Sequence, residues 1–174
     1  MSEVLDKIIS RRSVRKYKPD MVPRELIDKV IEAGLHAASG VNHQSSIIIA
    51  VTNKEVRDRF SEMNKDIWQQ GDIDPFYGAP VCLIVLDQAD WRNRVYDGSL
   101  VMGNMMLAAH ELGLGSCWIN RAKEEFETEE GKAFLKSLGI EGEYEGIAHC
   151  ILGYPATELA PPLPRKENRV YYVD

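Results

Sequence analysis

Little in this sequence belongs to the usual vocabularies of catalysis. Cys82, Cys117 and Cys150 are the three cysteines among 174 residues, and no two form a Cys-x-x-Cys pair. Neither a disulfide framework nor a thiolate zinc site is therefore expected. The histidines His36, His43, His110 and His149 are scattered, with no carboxylate at a metal-binding offset. His110 falls in an apolar helical stretch and His149 in a strand, so both are expected to be satisfied core or edge residues. No Gly-x-Ser-x-Gly elbow is present, no Gly-x-Gly-x-x-Gly follows the first strand, and there is no Walker loop. Cys117 follows a glycine-rich turn, but nothing nearby supplies a base, and a buried thiol is the expectation. No apolar run approaches the ~20 residues of a membrane span. A formal net charge of -6 argues against general nucleic-acid binding. The first residues carry no basic leader followed by an apolar stretch, so the expected location is cytoplasmic.

What is present reads as one soluble domain, with hydrophobic residues at 44% and charged residues at 28%. Val4, Leu5, Ile8 and Ile9 predict a short amphipathic helix, and Leu26 to Leu35 a second one opened by Pro23. Ile47 to Val51 and Val81 to Leu86 are uninterrupted apolar runs, read as strands buried on both faces. Between them Asn53 is placed to cap a helix carrying Val56, Phe60, Met63 and Ile67. Ser99 to Leu112 is apolar on nearly every side, which predicts a central core helix. Ser116 to Ile119 and Gly146 to Leu152 read as strands, Thr128 to Leu138 as a helix, and Arg169 to Val173 as a candidate edge strand. Interspersed strands and helices give an α/β or α+β class, an α/β-like three-layer arrangement in which helices cover both faces of a central sheet. Residues 156–174, with the proline-rich stretch Ala160 to Pro164, are expected to form an extended arm suited to cross a partner subunit.

The densest feature is Arg11-Arg12-Ser13-Val14-Arg15-Lys16-Tyr17-Lys18, five cations and two hydroxyls in eight residues. Like charges repel, so such a segment either faces an anion or is a solvated basic turn. Three further features stand beside it. The loop Ala38 to Gln44 is rich in amides, Gly113-Leu114-Gly115-Ser116 forms a turn, and Arg165-Lys166 is a second basic pair. Together they offer cations for a phosphate, amides for a planar hydrogen-bonding ring and apolar surface beneath it. A redox cofactor held in this way needs no side-chain acid–base pair.

Taken together these motifs resemble the nitroreductase family. Arg11-Arg12-Ser13-Val14-Arg15-Lys16-Tyr17 is similar to its opening Arg-Arg-Ser-x-Arg-x-aromatic motif. Ala38-Ser39-Gly40-Val41-Asn42-His43-Gln44 resembles its Ser-x-x-Asn-x-Gln loop. Leu112 to Trp118 resembles its Gly-Leu-Gly turn, and Leu152-Gly153-Tyr154-Pro155 with Pro164-Arg165-Lys166 its C-terminal ending. The resemblance implies a central mixed sheet between helices and an intertwined homodimer, with FMN at the subunit interface. Arg11 and Ser13 would face the FMN phosphate, while Arg12 and Arg15 approach the pyrimidine edge of the ring. Ser39, Asn42 and Gln44 would reach the same flavin from the other subunit, and Asn64 would hydrogen-bond the ring. Ser116 and Cys117 lead into Trp118, Ile119, Asn120 and Arg121, whose backbone would lie near flavin N5. Arg165 and Lys166 would close on the phosphate.

The implied activity is ping-pong hydride transfer from NADH or NADPH, through FMN, to nitroaromatics, quinones or related conjugated small molecules. Alternatives are a specialised relative (ene-reductase, dehalogenase or free-flavin reductase) and a flavin-binding protein without significant turnover. Two departures bear on the acceptor. Ser45-Ser46 stands where many members have Pro-Trp, and the chain is short.

Overall fold

The computed structural model describes residues 2–69 and 71–174. Its centre is the pair of strands β2 (Val81–Gln88) and β4 (Tyr144–Gly153), flanked by β1 (Ile47–Val51) and β3 (Gly115–Ile119) in the order β1-β2-β4-β3. All three strand pairings are antiparallel. The mixed character expected of the sheet is reduced to one isolated parallel bridge, Ser13 to Ser116, and an antiparallel bridge joins Tyr17 to Pro155. The basic segment thus lies along the free edge of β3, which would otherwise offer unpaired backbone groups.

Side chains alternate across a strand, so the apolar run of β2 feeds two cores. Val81, Leu83 and Val85 join Cys150 and Leu152 beneath helices α2 (Arg24–Leu35) and α4 (Arg94–Glu111). Cys82, Ile84 and Leu86 join Cys117 and Ile151 on the opposite face. There they meet α3 (Lys54–Trp68), α5 (Ala122–Glu127) and α6 (Glu129–Ser137). Asn53 caps α3 as expected, its side chain accepting from the Val56 N–H at 3.1 Å. The single helix expected over Thr128 to Leu138 is preceded by α5. Thr128 closes α5 and caps α6, accepting from the Gly131 N–H.

Three expectations need correction. β1 is an edge strand and only half-buried except at Val51, because a strand at the margin of a sheet has a neighbour on one side only. Arg169 to Val173 forms no strand, since the chain after residue 155 is exposed and pairs with no sheet edge. His149 is fully buried, but neither ring nitrogen has an aligned hydrogen bond among the described residues.

The remaining helix, α1 (Glu3–Ser10), buries none of its residues. It is attached near the C-terminus of α4 by an ion pair, Lys7 to Glu111 at 3.1 Å, and a 2.8 Å hydrogen bond between Ser10 and His110. Among the described residues no helix is long and apolar enough to cross a membrane, and no cluster of three or more His, Cys, Asp or Glu could hold a metal.

Candidate cofactor site

The basic segment is held by backbone bonds. The Val14 N–H donates to the Ser116 carbonyl at 2.9 Å, Lys18 N–H to Tyr154, and Ala156 N–H to Lys16. Val14 points inward and is buried. A Cβ on Gly115 would stand 2.8–2.9 Å from the Val14 side chain, so glycine is what lets the segment lie so close to β3. The Tyr17 hydroxyl donates to the Val14 carbonyl at 2.8 Å, and burial pushes its pKa well above the ordinary phenol range.

With the backbone fixed, the cations divide into two groups. Arg12 folds back, its Nη1 donating to the Ile9 carbonyl at 2.8 Å and to the Arg11 carbonyl. Its guanidinium therefore stays beside Arg11 at the end of α1. Arg11 Nη1 and Arg12 Nη2 are buried and have no hydrogen-bond partner among the described residues. A buried guanidinium nitrogen left unpaired is costly, and an oxyanion is its natural complement. Lys16 and Lys18 are exposed, as a merely solvated pair would be.

Arg15 lies elsewhere. It lines a cavity of about 140 Å³ with Cys117, Trp118, Ile119, Asn120 and Arg121, closed by Trp68, Pro75 and Tyr77. One chain therefore brings Arg15 together with the Trp118–Arg121 stretch. Trp68 and Tyr77 had no motif to reveal them; Trp68 ends α3, and Gln69 just after it and Tyr77 are both left-handed (φ 53° and 52°). Arg121 stacks on Trp68, its guanidinium carbon 5.1 Å from the ring centre. Asn64 lies beneath this wall and is fully buried, with both ends of its amide occupied by protein. Ser116 and Cys117 are buried too; Ser116 meets the basic segment through its backbone. Cys82 and Cys150 are inert core thiols, since burial pushes Cys150 up to about 12 and Cys82 well above its ordinary value.

The amide-rich loop stands at the other end of α4. Buried Asp97, in the first turn of that helix, accepts the Gly40 N–H through both carboxylate oxygens at 3.1 Å and the Trp91 indole N–H at 2.7 Å. Val41, Asn42 and Gln44 all have positive φ, a conformation held by this anchorage. The Gln44 N–H donates to Ser39 Oγ at 3.1 Å, and the Gln44 amide donates to Asn42 Oδ1 at 2.8 Å. Trp91 stacks on His43 with centroids 4.2 Å apart, giving the loop an aromatic support that Ser45-Ser46 does not supply. Arg165 and Lys166 lie in the exposed tail, around an open hollow shared with Asn168, Arg169 and Val170. Among the described residues no hydrogen bond, ion pair or shared cavity joins the basic segment to the Asn42 loop or to Arg165-Lys166.

Residues 8–154 match the profile of the Nitroreductase family. The chain belongs to the Nitroreductase family. A Methanothermobacter thermautotrophicus protein provisionally described as an NADH dehydrogenase/NAD(P)H nitroreductase is 35% identical over 125 residues. That match covers 67% of this chain but only 60% of the relative. An Archaeoglobus fulgidus protein of the same description is 31% identical over 161 residues, 91% of this chain and 88% of its own length. Among solved structures, a Bacteroides fragilis nitroreductase with bound FMN is 29% identical and superimposes with a TM-score of 0.90 over 100% of both chains.

Proposed function

We propose that this protein is an FMN-dependent oxidoreductase that uses NADH or NADPH to reduce nitroaromatics, quinones or similar conjugated acceptors. It would work as a homodimer with FMN held between the copies. The observation that carries this reading is the pair of buried, unspent guanidinium nitrogens of Arg11 and Arg12 on the segment whose Arg15 lines the cavity. FMN, when bound, accepts hydride at N5 and passes reducing equivalents to the acceptor. Arg11 and Arg12, with Ser13, would pair with the phosphate, which carries close to two negative charges. Arg15 would place a cation beside the pyrimidine edge and stabilise the ring when reduced. Trp68, Tyr77 and the Trp118–Arg121 wall would exclude water from one edge of it. An open face shared in turn by nicotinamide and acceptor favours ping-pong turnover.

The dimer is supported by a distance. Asp97 anchors the Asn42 loop and His110 meets the basic segment through Ser10, so the length of α4 between them separates the two by about 20 Å. Ser39, Asn42 and Gln44 would therefore serve the site of a second copy. An apolar stripe of Tyr96, Leu100 and Leu107 on α4, interrupted by the open space at Gly103, is available to that copy. So are Val4, Leu5, Ile8 and Ile9 on α1, all exposed. The arm 156–174, with exposed Leu163, Tyr171, Tyr172 and Val173, would pack on the partner and carry Arg165 and Lys166 to its phosphate. The test is reconstitution with FMN followed by anaerobic mixing with NADH and with NADPH. A yellow protein bleached by a reduced nicotinamide supports the reading; one that takes up no FMN contradicts it.

A further inference from the structure

We propose that Asn64, itself held by Glu125, is a positioning residue that aims the Arg121 backbone N–H into the cofactor cavity. The starting point is a buried polar chain in an otherwise apolar core. Asn64 Oδ1 accepts from Arg121 Nη1 at 3.1 Å, and Asn64 Nδ2 donates to Glu125 Oε1 at 2.7 Å and to the Asn120 carbonyl at 2.8 Å. The amide of Asn64 thus bridges the Arg121 guanidinium on the cavity wall and the Glu125 carboxyl group in the core.

The buried carboxyl group is the expensive part. Glu125 and His149 are fully buried, and Glu125 Oε2 stands 2.8 Å from His149 Nε2 without an aligned hydrogen bond. The imidazole lies beside Phe60 and Phe76, with ring centroids 6.4 Å and 5.2 Å away. Replacing such a pair by apolar side chains is often neutral or stabilising, so packing alone gives little reason for it. Its directional contact runs outward, through Asn64, to the cavity.

What it secures there is the peptide between Asn120 and Arg121. That bond is trans, so its C=O and N–H point in opposite directions. Asn64 draws the carbonyl into the core, which turns the Arg121 N–H toward the cavity, where it makes no hydrogen bond to the described residues. Arg121 is left-handed at φ 79°, a conformation that a non-glycine residue keeps only when its surroundings over-determine it. The bonds from Asn64 to both its side chain and the preceding carbonyl do this. An oriented donor at the rim of a redox ring stabilises charge as it develops there.

The inference rests on the FMN reading, and its test separates the two. In flavin-free protein, the Arg121 amide resonance of ¹⁵N-arginine-labelled material, assigned by its loss in Arg121→Lys, should be single and sharp. Asn64→Ser, smaller than the native residue and still polar, should broaden or split it. In FMN-loaded protein Asn64→Ser should slow reduction by the nicotinamide about tenfold and lower the flavin potential. FMN affinity should change less than about threefold, because the phosphate end is untouched. Glu125→Gln, which keeps an acceptor for Asn64, should retain the sharp signal. The Asn64→Ser effect on rate should shrink to less than about twofold in an Arg121→Gly background, where the left-handed turn no longer needs support. An unchanged Arg121 resonance in Asn64→Ser, or rate effects that simply add in the double variant, would overturn the proposal. A protein that never binds FMN would sink the cofactor reading while leaving the resonance experiment decisive.

Discussion

At the C-terminal end of α4 one guanidinium nitrogen of Arg11 and one of Arg12 are buried and unspent, while at its N-terminal end Asn42 and Gln44 are exposed and bonded to each other. The first region is closed in by its own chain. The Ser116 carbonyl, the Tyr154 carbonyl and the approach at Gly115 hold the basic segment against β3. The second is equally well anchored, through Asp97, but faces outward. Rigid and outward-facing is the form expected of a surface that completes a neighbour's site, because ordering costs are met before binding. One region supplies charge and the other hydrogen-bonding amides, and α4 is the spacer between them.

The largest effect should come from removing the unspent charge. Arg11→Ala with Arg12→Ala deletes two charge-assisted contacts of about 1.5–3 kcal/mol each, so FMN affinity should fall at least about 100-fold. Titration of flavin-free protein measures this, and a loss under about tenfold would place the phosphate elsewhere. Next is the outward loop. Asp97→Ala leaves the Gly40 and Trp91 N–H groups unmet and should cost about 2–3 kcal/mol in urea unfolding. It should also weaken FMN binding although Asp97 touches no residue of the basic segment. Gly115→Ala forces Cβ into Val14 and should cost about 1–3 kcal/mol, loosening the charged region while sparing the Asn42 loop.

The smallest effect concerns His110, which joins α4 to α1. Partial burial, with Lys7 and Arg11 close by, lowers its pKa. The folded protein therefore resists protonating His110, whereas the unfolded chain protonates it near pH 6.5. The sign follows: stability is unaffected above about pH 6.5 and falls as pH drops below it. His110→Gln should flatten that part of the stability profile, and an unchanged slope would assign it to other groups.

Much of this was legible in the sequence for definable reasons. Two-sided burial of β2 showed as an unbroken apolar run, the cap of α3 as Asn53, and the helical core as the apolar length of α4. Local rules were less informative where tertiary context decides. β1 has the composition of an interior strand but stands at an edge. α5 is six residues rich in Glu and Lys, too short for a periodic signal. The basic segment was conspicuous as charge, yet its division between Arg11 with Arg12 and Arg15 depends on how Arg12 folds back over Ile9. Glu125 and His149 meet only because α5 lies across β4, where Gly146 leaves room for the Ala122 carbonyl. No spacing along the chain foretells that contact.

The claim that the site is divided between two copies is tested most directly by subunit complementation. Arg12→Ala chains and Asn42→Ala/Gln44→Ala chains, each weak in FMN binding alone, are unfolded together, refolded and isolated as mixed dimers through two affinity tags. If each site takes its cations from one chain and its amides from the other, both lesions fall in one site and the second is intact. The mixed dimer should then bind about one FMN with native affinity, following the isologous geometry of a two-fold dimer. Mixed dimers that bind FMN no better than either parent would contradict the divided site.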